Sequence, residues 1–199
     1  MSSKDLWKSS KFSDCTVSCE GQTYDVHKCI ICARSPVMEA AFFGNFKEAV
    51  HAHLHIDEYE PVVIEAMLEY IYTDIYTCSD STASQAIFHM DVNAVADYYQ
   101  IDGLLKLSED NLGDFLSALT HAEQLPVIVK AATEKQVDRK LQSLVASASA
   151  KFMESLIDNP DFTSLDLPND FRNLVFQACA SQIAHMKSAT AEETSTSEA

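Results

Sequence analysis

Apolar and polar residues alternate along the early part of the chain. Cys15, Val17 and Cys19 are separated by single polar residues, and a second alternating stretch covers positions 22–27. The two stretches flank Gly21, and alternation with a period of two on both sides of a glycine-containing turn is typical of a β-hairpin. The pattern therefore predicts two short antiparallel strands within the first thirty residues.

From Lys28 the spacing of apolar residues changes to that of helices. Ser35 and Pro36 divide this region into two helices, because proline fits the first turn of a new helix. Leu54 and Ile56 then alternate with polar residues, which predicts a short strand with one face in water. The chain thus begins with short strands that are separated by helices.

The next region predicts helices and one irregular stretch. Pro61 opens an amphipathic helix, whose apolar residues recur at helical spacing. Residues 73–90 are polar and predict a strand or a loop, so Asp91 is expected to be the N-cap of the following helix. A further helix is expected from Asp102, with its end at Gly113.

In the second half of the chain the apolar spacing is helical throughout, and Pro126, Pro160 and Pro168 punctuate the helices. Residues 186–199 are small, polar and acidic, so burial cannot offset the entropy of ordering them, and we predict a disordered tail. Short strands separated by helices, without regular strand–helix alternation, indicate an α+β first domain. The rest of the chain is expected to be all-α.

The net charge of the chain limits the classes of macromolecule that it can bind. There are 14 basic and 30 acidic residues among 199, which gives a net charge of −16. Such a field repels a polyanion such as DNA, and no basic stripe opposes it, so we expect no nucleic-acid partner. Hydrophobic residues make up 47% of the chain, which is enough to bury a core.

Targeting signals in a sequence indicate the subcellular location of the protein. The sequence has no apolar run of signal-peptide length at its start and no stretch of roughly 20 apolar residues, the length that spans a bilayer. We therefore expect a cytoplasmic or nuclear protein with no membrane partner. The six cysteines are expected to be free thiols in that reducing setting.

Two groups of residues resemble metal-binding or redox sites. Cys29 and Cys32 form a C-x-x-C pair, but a zinc or redox site needs a second pair or a thioredoxin-like context, and we interpret both as packed helix residues. His51, His53 and His55 alternate, so one strand face would carry all three, either as a weak metal site or as a solvated face. No nucleophile elbow, phosphate loop or Ser/His/Asp set is recognisable, so we predict no enzyme activity and no cofactor.

Four separated segments resemble one known family. Residues 14–28 (DCTVSCEGQTYDVHK) and 30–38 (IICARSPVM) are similar to the opening hairpin and the first core helix of BTB/POZ domains. Residues 69–73 (EYIYT) and 96–104 (ADYYQIDGL) are similar to a helix end and to the late helix pair of that family. The resemblance covers roughly residues 6–118 and is shared with short fungal BTB proteins and with the BTB part of speckle-type POZ proteins.

This resemblance implies a plan for the whole chain. Residues 1–11 correspond to an N-terminal segment that forms a possible dimer helix, shortened relative to longer family members. Residues 12–118 correspond to the BTB/POZ domain, with the α+β fold of a short β-sheet and a helical cluster. Residues 119–185 resemble the helical extension that often follows this domain.

The resemblance also implies self-association. Leu6, Trp7 and Phe12 are the candidates for a dimer interface, and the alternative is that they cover the core of their own domain. Asp14 and Lys28 stand where the family often places a paired acid and base in a pocket near that interface. The alternative for this pair is an ordinary salt bridge at a strand end, which contributes little when it is exposed.

A second contact site is implied by Phe46, Lys47 and Glu48, which resemble the segment through which many BTB adaptors contact cullin-3. A plain loop anchor is the alternative for Phe46. The implied function is a scaffold that homodimerises or pairs with other BTB chains and serves as a substrate adaptor of a cullin-3 ubiquitin ligase. The alternative function is a stand-alone oligomerisation or transcription-related scaffold without a ubiquitin role.

Overall fold

A computed structural model describes residues 2–78, 82–135 and 137–196 and divides the chain into two compact units. The first unit comprises Met1–Asp80 and Phe88–Asn111, and the second comprises Ser81–Ile87 and Leu112–Ala199. Across the described ranges, no helix is both long and apolar enough to cross a membrane.

A three-stranded sheet lies in the first unit. It consists of β1 (Cys15–Cys19), β2 (Gln22–Val26) and β3 (His53–His55), in the order β2-β1-β3. β1 pairs with β2 antiparallel and with β3 parallel. Glu20 and Gly21 both have positive φ, 44° and 83°, the combination of a type I′ hairpin turn. The hairpin and the short third strand predicted from alternation are confirmed.

The register of the sheet directs its apolar residues to one core. Val17 in the central strand pairs with Tyr24 on one side and with Leu54 on the other. Because side chains alternate along a strand, Cys15, Val17 and Cys19 share one face, and all three are at most 5% exposed. This face supplies the sheet's part of the core.

Helices cover that face of the sheet. Ser35 separates two of them: its side chain accepts the Met38 backbone N–H at 3.1 Å, and its hydroxyl donates to the Tyr99 carbonyl at 2.6 Å. The break predicted at Ser35 and Pro36 is therefore confirmed, and so is the amphipathic helix from Pro61. The helices of this part are α1 (Ser3–Ser9), α2 (Lys28–Arg34), α3 (Pro36–Phe43), α4 (Lys47–His51) and α5 (Pro61–Thr73).

The prediction of a strand or loop over residues 73–90 is wrong for its second half. Helix α6 (Ala83–Tyr98) begins eight residues before Asp91, which lies within the helix rather than at its N-cap. Ala86, His89 and Met90 are at most 3% exposed, and their spacing is helical. A histidine in that stripe breaks its apolar appearance in the sequence. Residues 79–81 lie outside the described part of the chain.

The prediction that a helix ends at Gly113 is also wrong. Helix α7 (Asp102–Ala118) continues through this glycine, with Leu112 and Leu116 buried on its inner side. A Cβ at Gly113 would meet only Leu144 Cδ2, at 3.9 Å. The glycine thus adopts a helical conformation that other residues also adopt, and tertiary packing outweighs its weak helix propensity.

The described residues of the second unit form helices joined by short connections and contain no strand, as predicted. Helix α9 (Arg139–Lys151) buries Leu141 and Val145, and helix α12 (Asn169–Thr196) buries Phe171 and Val175. The Lys151 ammonium group donates to the Leu119 carbonyl at 3.1 Å. The helices that follow α7 are α8 (Leu125–Glu134), α9 (Arg139–Lys151), α10 (Met153–Leu156), α11 (Pro160–Thr163) and α12 (Asn169–Thr196).

The C-terminal region differs from the predicted disordered tail over residues 186–199. Helix α12 continues to Thr196, and residues 197–199 lie outside the described part of the chain. Residues 183–188 are all exposed, so local helix propensity rather than packing supports the helix there. Ala and Glu, which occur among residues 186–196, are good helix formers, and the composition argument for disorder did not weigh this.

Candidate interaction surfaces

The N-terminal segment, residues 2–12, lies against the core of the first unit. The Trp7 ring stacks on Tyr72 with centroids 5.4 Å apart and on Tyr24 with centroids 6.3 Å apart. The Ser3 hydroxyl donates to the Tyr72 carbonyl at 2.6 Å. Trp7, one of the three dimer-interface candidates, therefore packs on its own domain. This is the alternative given for that residue, in which it covers the core of its own domain.

The other two dimer candidates differ in exposure. Leu6 is half-buried on α1, whereas Phe12 is 80% exposed and has a φ of 67°. A positive φ is uncommon for a residue with a bulky side chain. The aromatic ring of Phe12 lies in water at the end of the segment.

A hydrogen-bonded histidine ties the N-terminal segment to the core, and sequence reasoning missed it. His27 is 4% exposed, and its Nε2 lies 2.7 Å from the Lys11 carbonyl oxygen. Its Nδ1 lies 2.8 Å from the Tyr72 hydroxyl, which also accepts the His27 backbone N–H at 2.9 Å. Burial raises the pKa of the Tyr72 hydroxyl, so it remains a neutral phenol.

Asp14 and Lys28 are neighbours, but their recorded contact is not an ion pair between side chains. The Asp14 carboxylate accepts the Lys28 backbone N–H at 2.8 Å, at the start of α2. The Lys28 ammonium group lies over the Phe42 ring, 5.7 Å from its centroid. The carboxylate thus stabilises a helix N-terminus, where backbone N–H groups need acceptors.

The predicted cullin-contact residues form an exposed corner between α3 and α4. Phe46 is 59% exposed, and it is accompanied by Phe43, 68% exposed, and Val50, 81% exposed. We call these three residues the α3–α4 corner. Glu48 is half-buried in the first turn of α4, and Lys47 is exposed. The chain thus presents three large apolar side chains, with a carboxylate and an ammonium group between them in sequence.

A glycine permits the conformation of this corner. A Cβ placed on Gly44 would lie 2.9 Å from Phe46 Cδ2, and it would also collide with the Ala40 carbonyl oxygen. Gly44 therefore lets the Phe46 ring lie close to the backbone that leaves α3. The aromatic ring is held in a defined place although it is largely in water.

The three predicted surface histidines do not share one strand. His53 and His55 lie on β3, but His51 belongs to α4. His53 Nδ1 lies 2.7 Å from Thr16 Oγ1, and His53 Nε2 lies 3.1 Å from Ser18 Oγ. Both nitrogens of that ring are engaged, and the described residues contain no cluster of three or more metal-ligating side chains.

The same polar face contains a hydrogen-bonded serine, histidine and aspartate that the sequence analysis did not recognise. Ser18 Oγ lies 2.7 Å from His55 Nδ1, and His55 Nε2 lies 2.7 Å from Asp57 Oδ1. Only the register of β1 on β3 brings these residues together, so no local pattern reveals them. Ser18 is 8% exposed and also contacts His53. We therefore interpret these hydrogen bonds as the pairing of polar side chains that the fold brings together.

The C-x-x-C pair lies on α2, as predicted, with its two thiols in different settings. Cys29 is exposed, whereas Cys32 is 9% exposed, and both thiols are free. Burial raises the pKa of the Cys32 thiol, which disfavours the reactive thiolate. These surroundings match a packing role for Cys32.

A family model for the BTB/POZ domain matches residues 3–116. That range is more than half of the 199 residues. The chain belongs to the BTB/POZ family. The resemblance noted in the sequence is confirmed, and the BTB/POZ domain is a protein–protein interaction module.

One curated relative extends the BTB match beyond the domain itself. TD and POZ domain-containing protein 2 of Mus musculus is 32% identical over 144 residues, which cover 72% of this chain and 38% of the mouse protein. The BTB chain therefore spans well under half the length of this relative. A solved structure, the BTB domain of zebrafish PATZ1, is 14% identical with a TM-score of 0.44, over 55% of this chain and 84% of the zebrafish chain.

Proposed function

We propose that this BTB chain homodimerises, or pairs with other BTB chains, and serves as a substrate adaptor of a cullin-3 ubiquitin ligase. The observation that carries the cullin contact is the α3–α4 corner, with its three exposed apolar side chains beside Glu48. We place the protein in the cytoplasm, the nucleus or both.

The α3–α4 corner has the properties of a protein contact site. Scattered single apolar residues are normal on a surface, but Phe43, Phe46 and Val50 fall within eight residues, at the end of α3, in its connection to α4 and on α4. Interface energy is concentrated in a few buried anchors, among which aromatic residues are enriched. Phe46 is the anchor in this proposal, and Glu48 supplies the carboxylate that fixes the partner's orientation.

The N-terminal segment supplies the proposed self-association surface. Trp7 holds the segment on its own core, which leaves Phe12 and the exposed part of Leu6 for a partner subunit. Asp14 lies two residues beyond Phe12 and is joined to Lys28, so the proposed charged pocket borders this surface. The helical extension widens the contact with the partners in the adaptor proposal.

The cullin proposal is tested by calorimetry with the N-terminal part of cullin-3 from the same organism. The double variant Phe46→Asp, Glu48→Lys should abolish binding, because it places a charge on the anchor and reverses the neighbouring one. Val62→Asp is the matched control: Val62 is 51% exposed on α5, outside the proposed contact surfaces, and its variant should bind as the wild type does. Unchanged binding of the double variant would refute the assignment of Phe46 and Glu48.

Self-association is tested separately by light scattering after size exclusion. The wild type should elute as a dimer, and Phe12→Asp should shift it towards the monomer. A dimer that never binds cullin-3 would favour the stand-alone scaffold without a ubiquitin role. A wild-type monomer at every concentration would overturn the proposed homodimer.

A further inference from the structure

A groove of about 390 Å³ lies in the first unit, where the start of α7 meets α2, α3 and α5. Arg34, Glu39, Tyr70, Asp102 and Gly103 are among the residues that line it. No lining residue belongs to the N-terminal segment or to the α3–α4 corner. The groove is therefore a separate part of the surface.

The groove contains a buried tyrosine whose hydroxyl has no recorded hydrogen bond to any described residue. Tyr70 is 7% exposed, so its ring belongs to the core. Its oxygen is nevertheless not fully enclosed, and it opens into the groove that the residue lines. Burial raises the pKa of the Tyr70 hydroxyl, so the group stays a neutral phenol, which can donate one hydrogen bond and accept others.

The first turn of α7 lies against this hydroxyl. A Cβ on Gly103 would overlap the Tyr70 oxygen, so the glycine lets the hydroxyl and the start of the helix come together. Ile101, directly before the helix, has no side-chain oxygen that could cap it. Within the described residues, the backbone N–H groups of Asp102 and Gly103 have no recorded acceptor. Two backbone donors and a phenol thus lie close together.

The charges around these donors select the kind of ligand. N–H and O–H donors require an acceptor atom, such as an oxygen. Glu39 and Asp102 are exposed carboxylates, and the Arg34 guanidinium, which lies over the Tyr70 ring, is paired with Asp74. Because the net charge of the chain is −16 as well, an anionic oxygen would be repelled. A neutral carbonyl oxygen that arrives together with a positive charge fits these surroundings.

We propose that this groove binds an extended peptide segment of a partner protein that carries a lysine or arginine side chain. A backbone carbonyl oxygen of the segment accepts from the N–H groups at the start of α7 and from the Tyr70 hydroxyl. The neighbouring basic side chain pairs with Glu39. The volume of the groove is at the lower end of the range of ligand pockets, which suits a few residues. The site does not rest on the proposed cullin contact or on dimerisation.

Binding is tested by NMR on the isotope-labelled full chain, with the capped peptide acetyl-Gly-Arg-Gly-amide as the probe. The backbone amide signals of Asp102 and Gly103 should shift and saturate as the peptide is raised to tens of millimolar, because their N–H groups gain an acceptor. Acetyl-Gly-Glu-Gly-amide, at the same ionic strength, is the matched probe of opposite charge. It offers the same carbonyl groups but should shift both signals much less, because the carboxylates around the groove repel it.

Three variants assign the contacts. Tyr70→Phe keeps the ring but removes the hydroxyl, and it should weaken binding of the arginine peptide about fivefold. Its urea midpoint should match that of the wild type, since the hydroxyl has no recorded partner among the described residues. Glu39→Gln should weaken binding about threefold, as expected for an exposed ion pair. Glu65→Gln, which changes an exposed carboxylate of α5 outside the groove, is the matched control and should bind as the wild type does.

The proposal is overturned if the signals of Asp102 and Gly103 stay constant with the arginine peptide, or if the glutamate peptide shifts them as much or more. Equal affinity of the wild type and Tyr70→Phe would remove the hydroxyl from the site. Because Glu39 is exposed, Glu39→Gln keeps the fold and decides the case in which Tyr70→Phe is unstable. Unchanged binding in that variant would show that the basic side chain is not recognised.

Discussion

The N-terminal segment and the α3–α4 corner carry similar aromatic residues that differ in burial. Trp7 finds two aromatic rings of its own domain, Tyr72 and Tyr24, to stack upon. Phe46 projects from the domain and remains 59% exposed, beside Phe43. An aromatic residue in a candidate interface thus either packs in the core or stays exposed, and the supply of partner side chains within its own domain decides which.

The difference has a functional meaning. A residue that packs on its own domain contributes stability before any partner arrives, so its loss changes the free energy of unfolding. A residue that stays in water contributes little to folding and becomes valuable only when a partner buries it. Substitutions of packed residues in the N-terminal segment should therefore change stability, whereas substitutions in the α3–α4 corner should change binding.

The largest expected effect concerns acid sensitivity of the core that both regions share. His89 is 3% exposed, and burial lowers its pKa to about 4 from the ordinary value of 6.5. The unfolded chain takes up a proton at this residue before the folded chain does, so stability is full above about pH 6.5 and falls as the pH decreases towards 4. The loss amounts to up to about 3 kcal/mol.

Urea unfolding at pH 7 and at pH 5 measures this dependence. His89→Gln, which can still bond the Tyr76 hydroxyl that His89 contacts, should lose stability less steeply between the two values. An unchanged pH dependence in the variant would show that other groups cause the acid sensitivity.

The next effect is the stability contribution of Trp7. Trp7→Ala removes both aromatic stacks and should lower the free energy of unfolding by about 2 kcal/mol, less than for a fully buried tryptophan because this ring is half-buried. Urea unfolding at pH 7, followed by circular dichroism, measures it. A change below about 0.5 kcal/mol, the level of ordinary surface substitutions, would contradict the packing role.

The smallest effect on stability is expected at the α3–α4 corner. Phe46→Ala should change the free energy of unfolding by less than about 0.5 kcal/mol, because the ring is mostly in water and its removal leaves no cavity. The same urea titration measures it beside Trp7→Ala. A loss as large as that of Trp7→Ala would mean that Phe46 supports the fold, and the contrast between the two regions would fail.

Local signals in the sequence are sufficient for much of the fold. Alternation around Gly21 predicts the hairpin, and the turn has the positive φ values that favour glycine. Ser35 and Pro36 predict a helix break because their chemistry acts within a few residues. Gly113 is the instructive failure: its usual preference for helix ends is a weak local signal, and packing of Leu112 and Leu116 outweighs it.

The candidate surfaces depend on information that the sequence does not carry locally. The position of Phe46 after a core helix predicts a contact site, but its exposure depends on how α3 and α4 meet. His27 looks like an ordinary residue at the end of a strand, and its role needs Tyr72, 45 residues away. Ser18 meets His55 only because β1 pairs with β3 in parallel. These contacts require tertiary structure.

The parallel pairing of β1 with β3 sets an order of events during synthesis. β2 is available to β1 at once, across a two-residue turn, whereas Thr16 meets His53 only after 37 more residues have been made. At about 5–20 residues per second, the free edge of β1 waits for seconds on the ribosome. An unpaired strand edge with apolar side chains recruits other chains readily. The nascent chain therefore exposes one unpaired edge of β1 until β3 emerges.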